Sequence, residues 1–148
     1  MNKFIDSTRN LSLVDYPGLM SMVVFTQGCN LECSFCYSKN LIPLKEGKLT
    51  WADTFDIILA QKHIEAVVFS GGEPTLHRLQ GPILDCKDIG LKVGLQTNGR
   101  GKYFQDIVPF VDYILLSKYT PEILLWTMQN KSEDCILEAI DLDLTKRK

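Results

Sequence analysis

Three cysteines, Cys29, Cys33 and Cys36, fall in the pattern C-x3-C-x2-C directly after the apolar run Met22-Val23-Val24-Phe25. The run predicts a buried strand whose end delivers the cysteines into a cleft. Clustered thiolates suit a soft metal centre, because each supplies one sulfur ligand and none supplies a fourth. A four-iron cluster held by three cysteines keeps one iron open to an outside ligand, whereas zinc would need a fourth residue from elsewhere. This constraint limits the chain to folds that close a loop over a metal at a strand end.

The rest of the chain punctuates itself. Apolar stretches between Phe4 and Val14 flank the turn-rich Ser7-Thr8-Arg9-Asn10 and read as short N-terminal edge strands or a hairpin. Asp15-Tyr16-Pro17-Gly18 reads as a type II turn, with Pro setting φ and Gly accepting a positive φ. Leu19 to Thr26 is the first core strand, apolar enough for burial on both faces. Thr50 with Asp53 forms a capping box, and Trp51, Phe55, Ile58 and Leu59 share one face of the helix that follows. Ala66–Ser70 is a second strand, broken by Gly71-Gly72-Glu73-Pro74-Thr75. A helix around Pro82 stops at Gly90, with Cys86 packed as a small apolar residue. Leu91–Gln96 is a third strand, leading to Thr97-Asn98-Gly99. A short helix over Lys102–Val108 ends at Pro109, and Asp112–Lys118 is a fourth strand. Pro121 opens another helix, while Cys135 to Leu144 fits either a strand or a second short helix.

Strands alternating with helices predict an α/β fold with a parallel sheet and right-handed crossovers. Four units are too few for a closed eight-stranded barrel. The expected architecture is therefore a partial (β/α) barrel, open on one side, in one domain over residues 1–148. In such folds the chemistry sits at the C-terminal ends of the strands, where the cysteines, the Gly-Gly-Glu-Pro loop and Thr97-Asn98 all fall.

The cysteine pattern, with Phe35 before its last member, resembles the radical S-adenosylmethionine (radical SAM) family. Ser12-Leu13-Val14-Asp15-Tyr16-Pro17-Gly18, followed by Val23-Val24-Phe25-Thr26-Gln27-Gly28-Cys29, resembles the branch that activates glycyl-radical enzymes. The likeness runs from about Leu11 to Lys118 and does not reach the last thirty residues. It implies a [4Fe–4S] cluster on Cys29, Cys33 and Cys36, with S-adenosyl-L-methionine (SAM) ligating the open iron. It implies that Phe35, Gly71, Gly72, Glu73 and Pro74 hold the cofactor, with Glu73 toward the SAM ammonium, and that Thr97 and Asn98 face the same cleft. It also places the Asp15–Gly18 turn near the mouth of that cleft. Many activating relatives carry Asp-x-Lys at the end of the fourth strand. This chain has Ser117-Lys118 without the Asp, leaving Lys118 as the candidate for the methionine carboxylate.

The implied activity is reductive cleavage of SAM to methionine and a 5′-deoxyadenosyl radical that removes a hydrogen atom from a partner's glycine. No catalytic residue beyond the cofactor ligands is expected. The implied partners are the large subunit of anaerobic ribonucleoside-triphosphate reductase and a flavodoxin-like reductant. Two alternatives stand beside this reading. One is a radical SAM enzyme acting on a small molecule, as 7-carboxy-7-deazaguanine synthase does. The other is a non-catalytic metal or electron-carrier module, in which Cys86 or Cys135 completes a four-thiolate site.

Composition narrows the partners further. With 16 basic and 18 acidic residues in 148, the net charge of −2 leaves no electrostatic footprint for nucleic acid. No apolar run approaches the roughly 18–20 residues that span a bilayer, and the N-terminus lacks a signal-peptide stretch. Five cysteines are an odd number, which fits a reducing, cytoplasmic compartment. His63 and His77 have no metal-ligand spacing and read as surface residues. His77, just after the Gly-Gly-Glu loop, is the candidate for the cleft rim.

Overall fold

The computed structural model describes residues 3–29 and 45–140. Cys33, Cys36 and Phe35 lie outside the described residues, as do the rest of the cysteine loop and residues 141–148.

One six-stranded sheet carries the fold, in the order β1 (Ile5–Ser12), β2 (Ser21–Thr26), β3 (Ala66–Gly71), β4 (Lys92–Thr97), β5 (Tyr113–Ser117), β6 (Ile136–Ile140). β1 runs antiparallel to β2, and every later pair is parallel. The connections are α1 (Trp51–Ala60), α2 (Gln80–Asp88), α3 (Phe104–Ile107) and α4 (Pro121–Asn130). Spatial order follows chain order, so each strand adds to the same growing edge and the sheet stays open at β1 and β6. The expected partial barrel is thus present. A single eight-residue edge strand replaces the two short ones anticipated at the N-terminus, and the ambiguous segment after Cys135 is a strand. Register shifts in the β1–β2 pairing absorb the Ser7–Asn10 stretch that had suggested a break.

Local chemistry sets the helix ends. Thr50 Oγ1 accepts from the Asp53 N–H at 3.1 Å while the Asp53 carboxylate accepts from the Thr50 N–H at 3.2 Å, the reciprocal capping box. Thr120 caps α4 through the Ile123 N–H, with Pro121 at the first helical position, where a missing N–H costs nothing.

The two sheet faces differ. Met22, Val24, Val67, Phe69, Val93, Leu95, Ile114 and Leu116 are fully buried on one face. There they pack against Ile58 of α1, Ile83 and Cys86 of α2, and Phe104 and Ile107 of α3. On the other face Val23, Ala66, Val68 and Tyr113 pack under Tyr16, with Leu19, Phe25 and Leu115 partly buried beside them and no helix over them among the described residues. Tyr16 stacks 5.3 Å from Tyr113, in space left by Gly94. Burial pushes both phenols up to about 12.

The Asp15–Gly18 turn links β1 to β2. The turn itself is the expected one, with Gly18 at φ +74° and the Leu19 N–H bonded to the Tyr16 carbonyl. It follows β1 and folds Tyr16 onto the helix-free face against Val23, Val68 and Tyr113. Only Asp15 reaches upward, accepting from Gln96 Nε2 at 3.1 Å.

Candidate functional site

The predicted site residues converge where the parallel strands end. β2 delivers Thr26, Gln27, Gly28 and Cys29; β3 delivers Gly71, Gly72 and Glu73; β4 delivers Thr97 and Asn98; β5 delivers Lys118. Parallel strands in register make this convergence unavoidable. Thr26 pairs with Gly71, and Thr97 with Leu116.

Glu73 is the hub. It is 1% exposed, and its carboxylate lies inside the ring of loops. One oxygen accepts from the Thr75 N–H at 3.0 Å and from the hydroxyls of Thr75 and Thr97, while the other accepts from the Asn98 N–H at 2.8 Å. Burial pushes its carboxyl above the usual carboxylate range, against hydrogen bonds from Thr75, Thr97 and Asn98 that pull it down. The carboxylate therefore binds the β3 loop to the β4 loop. The backbone of Gly71 and Gly72, half-buried, forms the more accessible part of the same loop. Pro74 opens a short turn of 3₁₀-helix that Glu73 caps.

Thr97 Oγ1 also accepts from the Gly99 N–H at 3.0 Å, and Asn98 Oδ1 accepts from the Arg100 N–H at 2.8 Å. Both residues are thus built into the site, beyond the simple Asn-Gly turn that sequence allows. Lys118 leaves β5 at φ +54°, a left-handed turn, and its carbonyl accepts from Arg100 Nε at 3.2 Å and Nη2 at 2.7 Å. Arg100, Thr75 and His77 were not singled out for these contacts by sequence reasoning. Each stands within a few residues of a predicted site residue, but no spacing rule marks it. His77 is half-buried rather than fully exposed. Its Nε2 lies 2.8 Å from the Gln27 carbonyl, its ring packs 5.1 Å from Phe4, and burial lowers its pKa.

The cysteines separate cleanly. Cys29 is half-buried at the C-terminal end of β2. Cys86 is buried near the C-terminus of α2, where its carbonyl meets the Leu91 N–H before β4 begins, and Cys135 immediately precedes β6. Both lie toward the N-terminal ends of the parallel strands, roughly 15–20 Å of strand length from the rim at ~3.3 Å per residue. Neither completes a four-thiolate site with Cys29. Burial pushes the Cys86 thiol up to about 12 and the Cys135 thiol to about 11, as for inert core residues.

On the open face, a polar chain runs below these loops. Ser70 Oγ donates to Gln96 Oε1 at 2.7 Å, Gln96 donates to Asp15, and Asp15 also receives Ser12 Oγ at 2.5 Å and faces Arg9 at 3.8 Å.

A half-buried cysteine past one strand end, beside a glycine-bordered loop at the next, marks an α/β protein with its candidate site on the C-terminal rim of a partial barrel. The family model of the Radical SAM superfamily matches residues 23–142, and the chain belongs to that family. A pyruvate formate-lyase-activating enzyme of Clostridium pasteurianum is 34% identical over 121 residues, covering 76% of this chain and 50% of that protein. A protein of Methanocaldococcus jannaschii named as a glycyl-radical enzyme activating enzyme is 28% identical, covering 96% and 63%. A 7-carboxy-7-deazaguanine synthase of Hyperthermus butylicus is 35% identical over 86 residues, covering 57% and 37%. The crystal structure of QueE from Escherichia coli shares the fold, with a TM-score of 0.56 at 17% identity, covering 99% of this chain and 85% of that one. The chain thus spans between about a third and two-thirds of the length of these curated relatives.

The cofactors of this family are a [4Fe–4S] cluster and SAM. The donor set fits them, because Cys29 offers a soft ligand on the rim beside the open Gly71-Gly72 backbone. The family match also carries the likeness past Lys118, through α4 and β6, where sequence motifs had given out. No helix among the described residues is long and apolar enough to cross a membrane.

Proposed function

We propose that this protein is a glycyl-radical-enzyme activase. Cys29, Cys33 and Cys36 would hold the cluster. The Gly71-Gly72 backbone would take the SAM ammonium, with Glu73 fixing the loop, and Thr97, Asn98 and Lys118 would border the cofactor, with Phe35 beside the cysteines. When bound, cluster and SAM together supply a 5′-deoxyadenosyl radical through one-electron cleavage of a sulfur–carbon bond. The chain's own residues position that chemistry and leave one sheet face open to the substrate.

The observation that carries this reading is the sheet face on which no helix lies among the described residues. Among the described residues every helix packs on the opposite side, and the polar chain Ser70–Gln96–Asp15 lies on the open side. A rim with no helix on that side among the described residues is suited to a substrate that brings its own cover, as a protein loop does. The names of the relatives from M. jannaschii and C. pasteurianum favour the same class. The partner we propose is the large subunit of anaerobic ribonucleoside-triphosphate reductase, with a flavodoxin-like reductant.

The likeness to 7-carboxy-7-deazaguanine synthase favours a second reading, in which a small molecule occupies the open face. One experiment separates the two. The protein, anaerobically reconstituted with iron and sulfide, is reduced and incubated with SAM and the candidate reductase. The expected result is a doublet glycyl-radical signal in the electron paramagnetic resonance spectrum of the reductase. SAM cleavage with no such signal, but with turnover of the small-molecule substrate, overturns the activase reading.

A further inference from the structure

We propose that His77 is a positioning residue for the cysteine loop: its Nε2–H holds the Gln27 carbonyl and so sets the direction in which the chain enters Cys29. The argument starts from three consecutive carbonyls at the exit of β2. Thr26 O accepts from the Gly72 N–H at 3.1 Å, Gln27 O meets His77 Nε2 at 2.8 Å, and Gly28 O accepts from the Glu73 N–H at 2.7 Å. All three partners belong to the loop that follows β3. Two are backbone groups, so any sequence with this fold could supply them. The middle one is a side chain, the only one of the three that depends on residue type.

A carbonyl oxygen only accepts, so Nε2 carries the proton and Nδ1 is left as the acceptor. The imidazole is itself held. Its ring packs on Phe4, whose carbonyl accepts from the Gln27 N–H at 2.9 Å. Gln27, 2% exposed, is therefore gripped on both its backbone groups two residues before Cys29. Gly28 follows at φ +104°, a conformation that glycine reaches without a Cβ penalty, so the turn into Cys29 is set by what holds its neighbours. His77 thus ties the loop proposed to hold SAM to the strand end that carries the first cysteine. A ligand must sit within a few tenths of an ångström of its metal, so such outer contacts tune retention of the centre. The consequence for the cluster rests on the function proposed above, while the brace itself does not.

The test compares His77→Gln with His77→Asn. Both are polar amides, but only Gln is long enough to present an N–H to the Gln27 carbonyl. Hydrogen exchange of the metal-free protein, read by mass spectrometry, is expected to show residues 26–29 exchanging about fivefold faster in H77N than in wild type, as for loss of one ordinary hydrogen bond. H77Q is expected to remain near wild type, and segments 66–71 and 92–97 are expected to be unchanged in both. After reconstitution, H77N is expected to yield iron to a chelator faster than H77Q. Equal protection of residues 26–29 in all three proteins overturns the proposal, as does faster exchange spread over 66–71 and 92–97 in H77N. If the wild-type protein itself assembles no iron–sulfur cluster, the functional reading fails, and the exchange comparison still decides the brace.

Discussion

Replacing Gly71 with alanine tests how tightly the site is bound to the sheet. Gly71 ends β3 at φ +110°, outside the range that residues with a Cβ tolerate. An added Cβ would overlap Thr26 N, and would sit 2.5 Å from Thr26 O and 3.0 Å from the Phe25 carbonyl carbon. These are backbone atoms of the neighbouring strand and cannot rotate away. The unfavourable φ costs about 1–3 kcal/mol, and forced overpacking costs about 1–3 kcal/mol more. The sum centres on about 4 kcal/mol, a large part of the 5–15 kcal/mol typical of a domain. For a chain of this length each kcal/mol lowers Tm by about 2–4 °C, so Gly71→Ala is expected to lose about 8–16 °C in a thermal scan of the metal-free protein. Gly81→Ala is the control. Gly81 sits in the first turn of α2 with open space around its would-be Cβ, so alanine there is expected to stabilise by about 0.5 kcal/mol. A Gly71→Ala protein within 1 kcal/mol of wild type would refute the reasoning, because the β2–β3 exit would then be free to part.

Two further outcomes follow from titrating groups. The folded state raises the Glu73 pKa above its unfolded value of 4.5, so Glu73 contributes stability that is fully present below pH 4.5 and is lost as pH rises through the folded pKa. Urea unfolding at a series of pH values is therefore expected to show wild type losing stability relative to Glu73→Gln as pH rises above 4.5; a relative gain would mean that the four donors outweigh burial. With thiols pushed to about 12 and 11, Cys86 and Cys135 are expected to resist iodoacetamide at pH 8 in the metal-free folded protein, while Cys29 is alkylated. Peptide mapping that finds Cys86 labelled as fast as Cys29 would contradict its burial.

Much of the scaffold was legible along the chain, because the signals were local. Thr50 with Asp53 marks a capping box whether or not anything packs against it, and Pro17-Gly18 closes a type II turn on its own dihedral preferences. The apolar run of β2 announced a strand buried on both faces, and burial of Val23 and Val24 bears this out. The segment after Cys135 was not legible, since Ile136–Ile140 alternates too weakly to distinguish a strand from a helix. It becomes a strand because β5 offers it a free edge.

The linear order of residues by itself determined the fold class and the cysteine pattern, because motif spacing and hydrophobic period need only near neighbours. Only the tertiary structure decided what those loops do to one another. The roles of Glu73, Thr97 and His77 depend on partners 24, 24 and 50 residues away. Tyr16 belongs to a turn that any reading would recognise, yet its place on the helix-free face follows from strands β2 to β5 laid side by side. Contacts of that kind exist only once the sheet has formed, since the parallel register is what brings separate strand ends to a single rim.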